Sequence, residues 1–290
     1  MEVFLHALGY GIVGAGIMAL AATGLSLQVS VTNFINFAYG DFLALGGYFA
    51  LTGLRMGLNM YLATLFSMVA VSLFAVIAYK GLYGPLRDRG MRVISLLIVS
   101  VGLSLVLEAA IAIIWGPTQQ NYGLPPSTPL HIGPFLFTSV QLEIIVFAGV
   151  ALGVLDLFLR FTRVGKAMRA MADNMELARV SAINTSALTT AVWGVMGAMA
   201  GLSGTMLAIS ISAFSPSYGF LFLFLIFAAV VIGGIGKIYG TLVGALIVGV
   251  GISIAQAYIA VQYSDAIIFG VLIGTLLIRP QGLFGGKLVQ

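Results

Sequence analysis

Cysteine is absent from all 290 residues, which excludes a disulfide, a thiolate nucleophile and a thiolate metal site. Histidine is nearly absent: only His6 and His131 occur, and no carboxylate–histidine cluster suggests a bound metal or a haem. Charge is scarce as well. Thirteen Lys and Arg with nine Asp and Glu make 8% of the chain, where a soluble domain carries about 25%. Hydrophobic residues supply 60% and mean hydropathy is +1.11. This balance excludes an ordinary soluble fold and marks an integral membrane protein. No segment has the composition of a soluble domain or a linker, so the sequence predicts one transmembrane domain over 1–290. Met1-Glu2 lacks a basic leader, and the first apolar run is long enough to be expected to remain as an anchor.

The net charge of +4 and pI near 9.4 do not indicate a nucleic-acid partner. The basic residues sit in loops beside apolar runs, where the positive-inside rule puts them. Glycine is abundant, at 37 residues, and small residues let helix backbones approach closely in a bilayer.

A span needs roughly 20 apolar residues. Clear candidates are Phe4–Leu27, Met60–Tyr83, Val93–Trp115, Val140–Leu159, Leu188–Ser212, Tyr239–Ala260 and Tyr263–Ile278. Two further stretches are apolar but interrupted: Val29–Leu54, by Asn33, Asn36, Gly40, Asp41 and Gly46-Gly47, and Phe214–Gly236, by Pro216, Gly219 and Gly233-Gly234. Broken or re-entrant helices are expected there. The predicted fold is all-α and polytopic, with eight or nine transmembrane helices. Arg87, Arg89 and Arg92, then five basic residues after Leu159, then Arg279 and Lys287, are assigned to the cytoplasm. The proline-rich Trp115–Ser139 loop is then outside and the C-terminus cytoplasmic.

Four features carry candidate chemistry. The stretch from Asn33 to Asp41 holds two amides, a phenol at Tyr39 and a carboxylate, all expensive in lipid. Two readings fit: these groups line a pathway, or they cap and staple a broken helix. Glu108 is a lone carboxylate inside a predicted span, fit for a polar path or for pairing with another helix. Eight of the 22 charged residues fall between Asp156 and Arg179. Within that island, Met168, Met171, Ala172, Met175 and Ala178 recur at helical spacing, while Lys166, Arg169, Asp173, Glu176 and Arg179 take the remaining surface. Asp173-Asn174 can end one helix and cap the next. Such a segment either lies on membrane lipid or docks on a partner with Met as an adaptable contact. Finally, Gly233-Gly234-Ile235-Gly236-Lys237 lacks the phosphate-loop pattern, because Ile238 follows the lysine; it reads as a tight turn.

An enzyme is not expected. Gly201-Leu202-Ser203-Gly204 has the look of an intramembrane protease serine, but neither histidine lies in a late span to act as its base. No cofactor, metal or nucleotide site is predicted in this chain.

Together the motifs resemble the shorter permease of branched-chain amino acid ABC importers, over essentially the whole length. Asn36-Phe37-Ala38-Tyr39-Gly40-Asp41 is similar to that family's Asn-Phe-Ala-His-Gly-Asp/Glu, with Tyr39 at the usual histidine. Gly165 to Ala170 with Asp173-Asn174 resembles its cytoplasmic loop. Ser215-Pro216 with Gly219, then Val231 to Gly236 with Gly240 and Gly244, also match, as does Arg279 to Gly285. The resemblance implies a permease subunit in a bacterial-type inner membrane, carrying branched-chain or other neutral amino acids. A urea or short-chain amide importer is the related alternative, and an ion-driven carrier a more distant one. Implied partners are a second permease, two ATP-binding subunits that hydrolyse the ATP, and an extracytoplasmic amino-acid-binding protein. Residues 160–187 become the coupling region, with Lys166, Met168, Arg169, Met171, Asp173, Asn174, Met175, Glu176 and Arg179 meeting the ATPase. Asn33, Asn36, Tyr39, Asp41, Glu108, Ser215 and Pro216 are the implied pathway residues.

Overall fold

The structure is a computed structural model, and it describes residues 2–125, 127–133, 135–181, 184–259, 261–278 and 282–284. Among the described residues twelve helices run in chain order: α1 (Glu2–Thr32), α2 (Tyr39–Arg55), α3 (Met60–Ala78), α4 (Gly84–Asp88), α5 (Val93–Trp115), α6 (Ser139–Phe161), α7 (Arg163–Asp173), α8 (Met175–Val180), α9 (Thr185–Ile211), α10 (Tyr218–Gly233), α11 (Ile238–Tyr258) and α12 (Val261–Ile278). A π turn at Tyr79–Tyr83 joins α3 to α4. A short antiparallel hairpin, β1 (Pro129–Ile132) with β2 (Phe135–Thr138), pairs Leu130 with Phe137 and departs from an all-helical reading.

Among the described residues, six helices are long and apolar enough to cross a membrane: α1, α3 with its continuation to Asp88, α5, α6, α9 and α11. The protein is therefore a multi-pass, mostly helical membrane protein. The two interrupted stretches give the shorter helices α2, with 17 residues, and α10, with 16, both below the roughly 20 residues of a full span.

The chain divides into two compact units. One comprises Met1–Ser26, Gly123–Leu152 and Phe224–Gln290. In it α11 lies against α1: a Cβ on Gly249 would sit 2.6 Å from the Ala15 backbone, and Ser253 donates to the Ala7 carbonyl at 2.6 Å. The glycine cluster between α10 and α11 is the expected tight turn, with Gly234 at φ +108° and Gly236 at φ +77°. Leu283 closes over it, donating its N–H to the Ile232 carbonyl. The rest of the expected C-terminal signature, Arg279 to Gln281 and Gly285, lies outside the described residues.

The other unit comprises Leu27–Tyr122 and Gly153–Leu223. Its centre is α2, packed on α3, α5 and α9. Glycine sets the spacing. A Cβ on Gly46 would meet the Gly201 carbonyl oxygen at 2.8 Å, and one on Gly201 would meet the Met68 Cα at 2.9 Å. Close approach lets side chains reach backbone on neighbouring helices. Ser67 donates to the Gly46 carbonyl at 2.7 Å, and Tyr218 donates to the carbonyls of Leu43 and Gly204 at 3.0 Å each. Where hydrocarbon provides no hydrophobic drive between helices, such packing and hydrogen bonding hold them together.

Candidate functional site

The break between α1 and α2 organises the second unit. α1 ends at Thr32, and Asn33 takes φ +57°, the left-handed conformation that Asn tolerates better than most residues. Its N–H bonds the Val29 carbonyl at 2.9 Å, closing the last turn. Gln28 then reaches across the break, its amide donating to the Phe34 carbonyl at 3.3 Å. Asn36 is fully buried, and its Oδ1 accepts from the Ala38 N–H and from the Tyr83 hydroxyl, each at 3.1 Å. The Phe37 N–H donates to Ser100 Oγ at 3.0 Å. Backbone freed by the break is thus satisfied by Ser100 of α5 and by the Asn36 side chain, which the Tyr83 hydroxyl of the π turn holds in turn.

Asp41 follows in the first turn of α2 and is fully buried. Ser104 of α5 donates to its Oδ2, while Oδ1 has no partner among the described residues. Glu108 lies one turn further along α5 and is half-buried. Aromatic rings close the site on the α9 side. The Trp193 ring stacks on Tyr79 at 5.5 Å between centroids and lies 4.8 Å from Tyr83. Phe34 and Phe42 approach it at 6.5 and 6.4 Å.

The expected pathway residues therefore divide. Asn36, Tyr39, Asp41 and Pro216 are buried, and α3, α5 and α9 pack on α2. Asn33 is exposed, and Glu108 and Ser215 are half-buried. Ser215 and Pro216 belong to a segment running antiparallel to α2: the Phe214 ring packs on Tyr48, and Gly219 meets Gly40. Gln120 pairs with Phe214 through two backbone hydrogen bonds of 2.9 Å. Reading the sequence missed Ser100 and Ser104. Their signal was present, because Ser100, Ser104 and Glu108 are each four residues apart and share one face of an apolar helix.

The charged island forms two helices. Thr162 caps α7, its Oγ accepting from the Gly165 N–H at 2.9 Å, and Asn174 caps α8 through Leu177 at the same distance. Met168 and Met171 turn inward and are buried in this chain. α7 packs on α8 and α9. Met175 is half-buried, with its sulfur 3.0 Å from Arg87 Nη2. The exposed surface is formed by Lys166, Arg169, Asp173, Asn174 and Glu176 with the apolar Leu177 and Val180. Arg179 lies on α8.

The family described as "Branched-chain amino acid transport system / permease component" matches residues 7–276. The chain belongs to this family. It is 29% identical over 306 residues to the high-affinity branched-chain amino acid transport system permease protein LivH of Salmonella typhimurium, covering 99% of this chain and 97% of the relative. The corresponding permease BraD of Pseudomonas aeruginosa is also 29% identical over the same shares. A probable LivH of Methanocaldococcus jannaschii is 31% identical, covering 94% of this chain and 90% of the relative. The ribose import permease RbsC of Escherichia coli is more distant, at 27% over 80% of this chain and 72% of its own length. No solved structure matches. As a member of this family the protein is a transport permease.

Proposed function

We propose that this permease is one half of the membrane pathway of an ABC importer for branched-chain amino acids. The observation that carries the reading is the end-to-end similarity to LivH and BraD, whose names give that cargo. Residues 1–290 act as one permease domain of eight or nine spans in an inner membrane, with the C-terminus in the cytoplasm. A second permease completes the pathway, an extracytoplasmic binding protein delivers the amino acid, and two ATP-binding subunits hydrolyse ATP.

Docking of the ATPase falls to the exposed face of α7 and α8. Lys166, Arg169, Asp173 and Glu176 set register by charge, and Leu177 and Val180 supply apolar contact. The α1–α2 break is the element that moves. It is held by a few side-chain hydrogen bonds, from Ser100 of α5 to the Phe37 N–H and from Tyr83 of the π turn to Asn36, which can exchange as the pathway opens to alternate sides. Asn33, Glu108 and Ser215 line that pathway, whereas Asn36, Tyr39 and Asp41 position it.

The test is uptake of radiolabelled leucine into proteoliposomes holding this chain with its neighbouring permease, ATPases and binding protein. Urea and ribose serve as comparators. ATP-dependent leucine uptake is the expected result. ATP-dependent uptake of urea or ribose alone would change the cargo, and uptake that ignores ATP but collapses with an uncoupler would replace the importer by a carrier.

A further inference from the structure

We propose that a pocket at the basic end of α3 binds the phosphate of an anionic phospholipid, independently of the cargo assignment. The pocket has a volume of about 230 Å³ and lies between the π turn, α4, α8 and the first turns of α9. That is below the roughly 300–1,000 Å³ of sites that enclose a small molecule, and it suits a headgroup better than an entire ligand.

Two cations line it, Lys80 from the π turn and Arg87 from α4. Among the described residues Lys80 has no acceptor, and the guanidinium of Arg87 has only the Met175 thioether, a weak one. Five N–H donors in a planar fork are matched to phosphate or carboxylate oxygens, so the arrangement leaves a strong anion donor set unfilled. Asp88 also lines the pocket, but it is exposed and forms no ion pair with either cation among the described residues. The opposite wall is the start of α9. The hydroxyls of Thr189 and Thr190 are spent on carbonyls one turn back, while those of Thr185 and Ser186 are not. A 27-residue helix begins there, with its positive end toward the pocket.

A lipid, rather than soluble phosphate, follows from what leads to the pocket. Leu65, Val69, Leu73 and Ile77 occur at every fourth residue of α3, and each is more than half exposed. Lys80 comes next along the same side. An apolar stripe that ends in two cations and free hydroxyls is complementary to acyl chains that end in a phosphodiester. Basic pockets between helices at the cytoplasmic side take anionic headgroups by this chemistry.

The experiment is native mass spectrometry of the detergent-purified permease pair incubated with phosphatidylglycerol or phosphatidylcholine. Retention of phosphatidylglycerol but not phosphatidylcholine is expected. Lys80→Gln or Arg87→Gln should each weaken retention about 5-fold, and the pair about 30-fold, from roughly 1 kcal/mol per basic residue near an anionic headgroup. Arg89→Gln with Arg92→Gln, exposed basic residues outside the pocket, should leave retention unchanged. Equal loss in that control would mean bulk surface charge only and would overturn the site. Binding of inorganic phosphate with no lipid retained would overturn the lipid assignment. So would loss of ATPase association in the Lys80 and Arg87 variants with lipid retention intact. Because Lys80 is exposed, its variant keeps the test open even if Arg87→Gln fails to fold.

Discussion

Removing a single hydroxyl, in Ser104→Ala, tests whether the α2–α5 contact holds the broken helix. Asp41 is fully buried, Ser104 supplies the hydrogen bond to its Oδ2, and Oδ1 has none among the described residues. Losing the serine leaves a buried carboxyl with no side-chain donor, for which the penalty is about 1–3 kcal/mol. Asp41→Ala removes the acceptor itself. In the double variant the serine loss should add little, giving a coupling of about 1–2 kcal/mol. Equilibrium unfolding in mixed micelles, followed by tryptophan fluorescence, measures all four corners of the cycle. Trp193 and Trp115 both lie in this unit and report on it. Single effects that add to within about 0.5 kcal/mol would refute the idea that these two residues act as a pair.

Gly201→Ala should destabilise the protein by about 1–3 kcal/mol, since its Cβ would press on Met68 Cα and the Ser67 carbonyl at 2.9 Å and force α3 from α9; unfolding midpoints measure it. Tyr83→Phe removes one of two bonds to Asn36 Oδ1 and should cost about 1 kcal/mol by the same assay while lowering uptake. Arg169→Glu, on the exposed face of α7, should leave expression and unfolding unchanged and abolish the coupling of ATP hydrolysis to leucine uptake. Unchanged coupling there would remove α7 from the docking surface.

Much of the fold was legible because its boundaries are chemical. Val93–Trp115 was read to the residue, as Arg92 and Gly116 bracket an uninterrupted apolar run. The α1–α2 break was legible in the density of polar groups after Thr32, and the Asn174 cap in the Asp-Asn pair. What escaped depends on partners that a linear reading does not contain. The periodicity of Met168 and Met171 declares an apolar face but not what covers it; both are buried within this chain, where α7 packs on α8 and α9. Enclosure of Asn36 and Asp41 likewise depends on residues about sixty positions away on α5 and nearly fifty away at Tyr83. Polarity alone marked these positions as important without distinguishing a lining from a brace.

The π turn at Tyr79–Tyr83 fixes a length. A π turn accommodates one more residue than the α-helical turn it replaces. Inserting a residue beside Gly81, whose surroundings are open, would overfill that turn and rotate everything beyond it by about 100° relative to α3. Tyr83 and Arg87, one turn apart, touch Asn36 at the helix break and Met175 on α8. After such an insertion both would point elsewhere, although every side chain named here would still be present. The spacing between Tyr79 and Arg87 is thus a constraint on chain arithmetic: substitutions are tolerated within it far more readily than the gain of one residue.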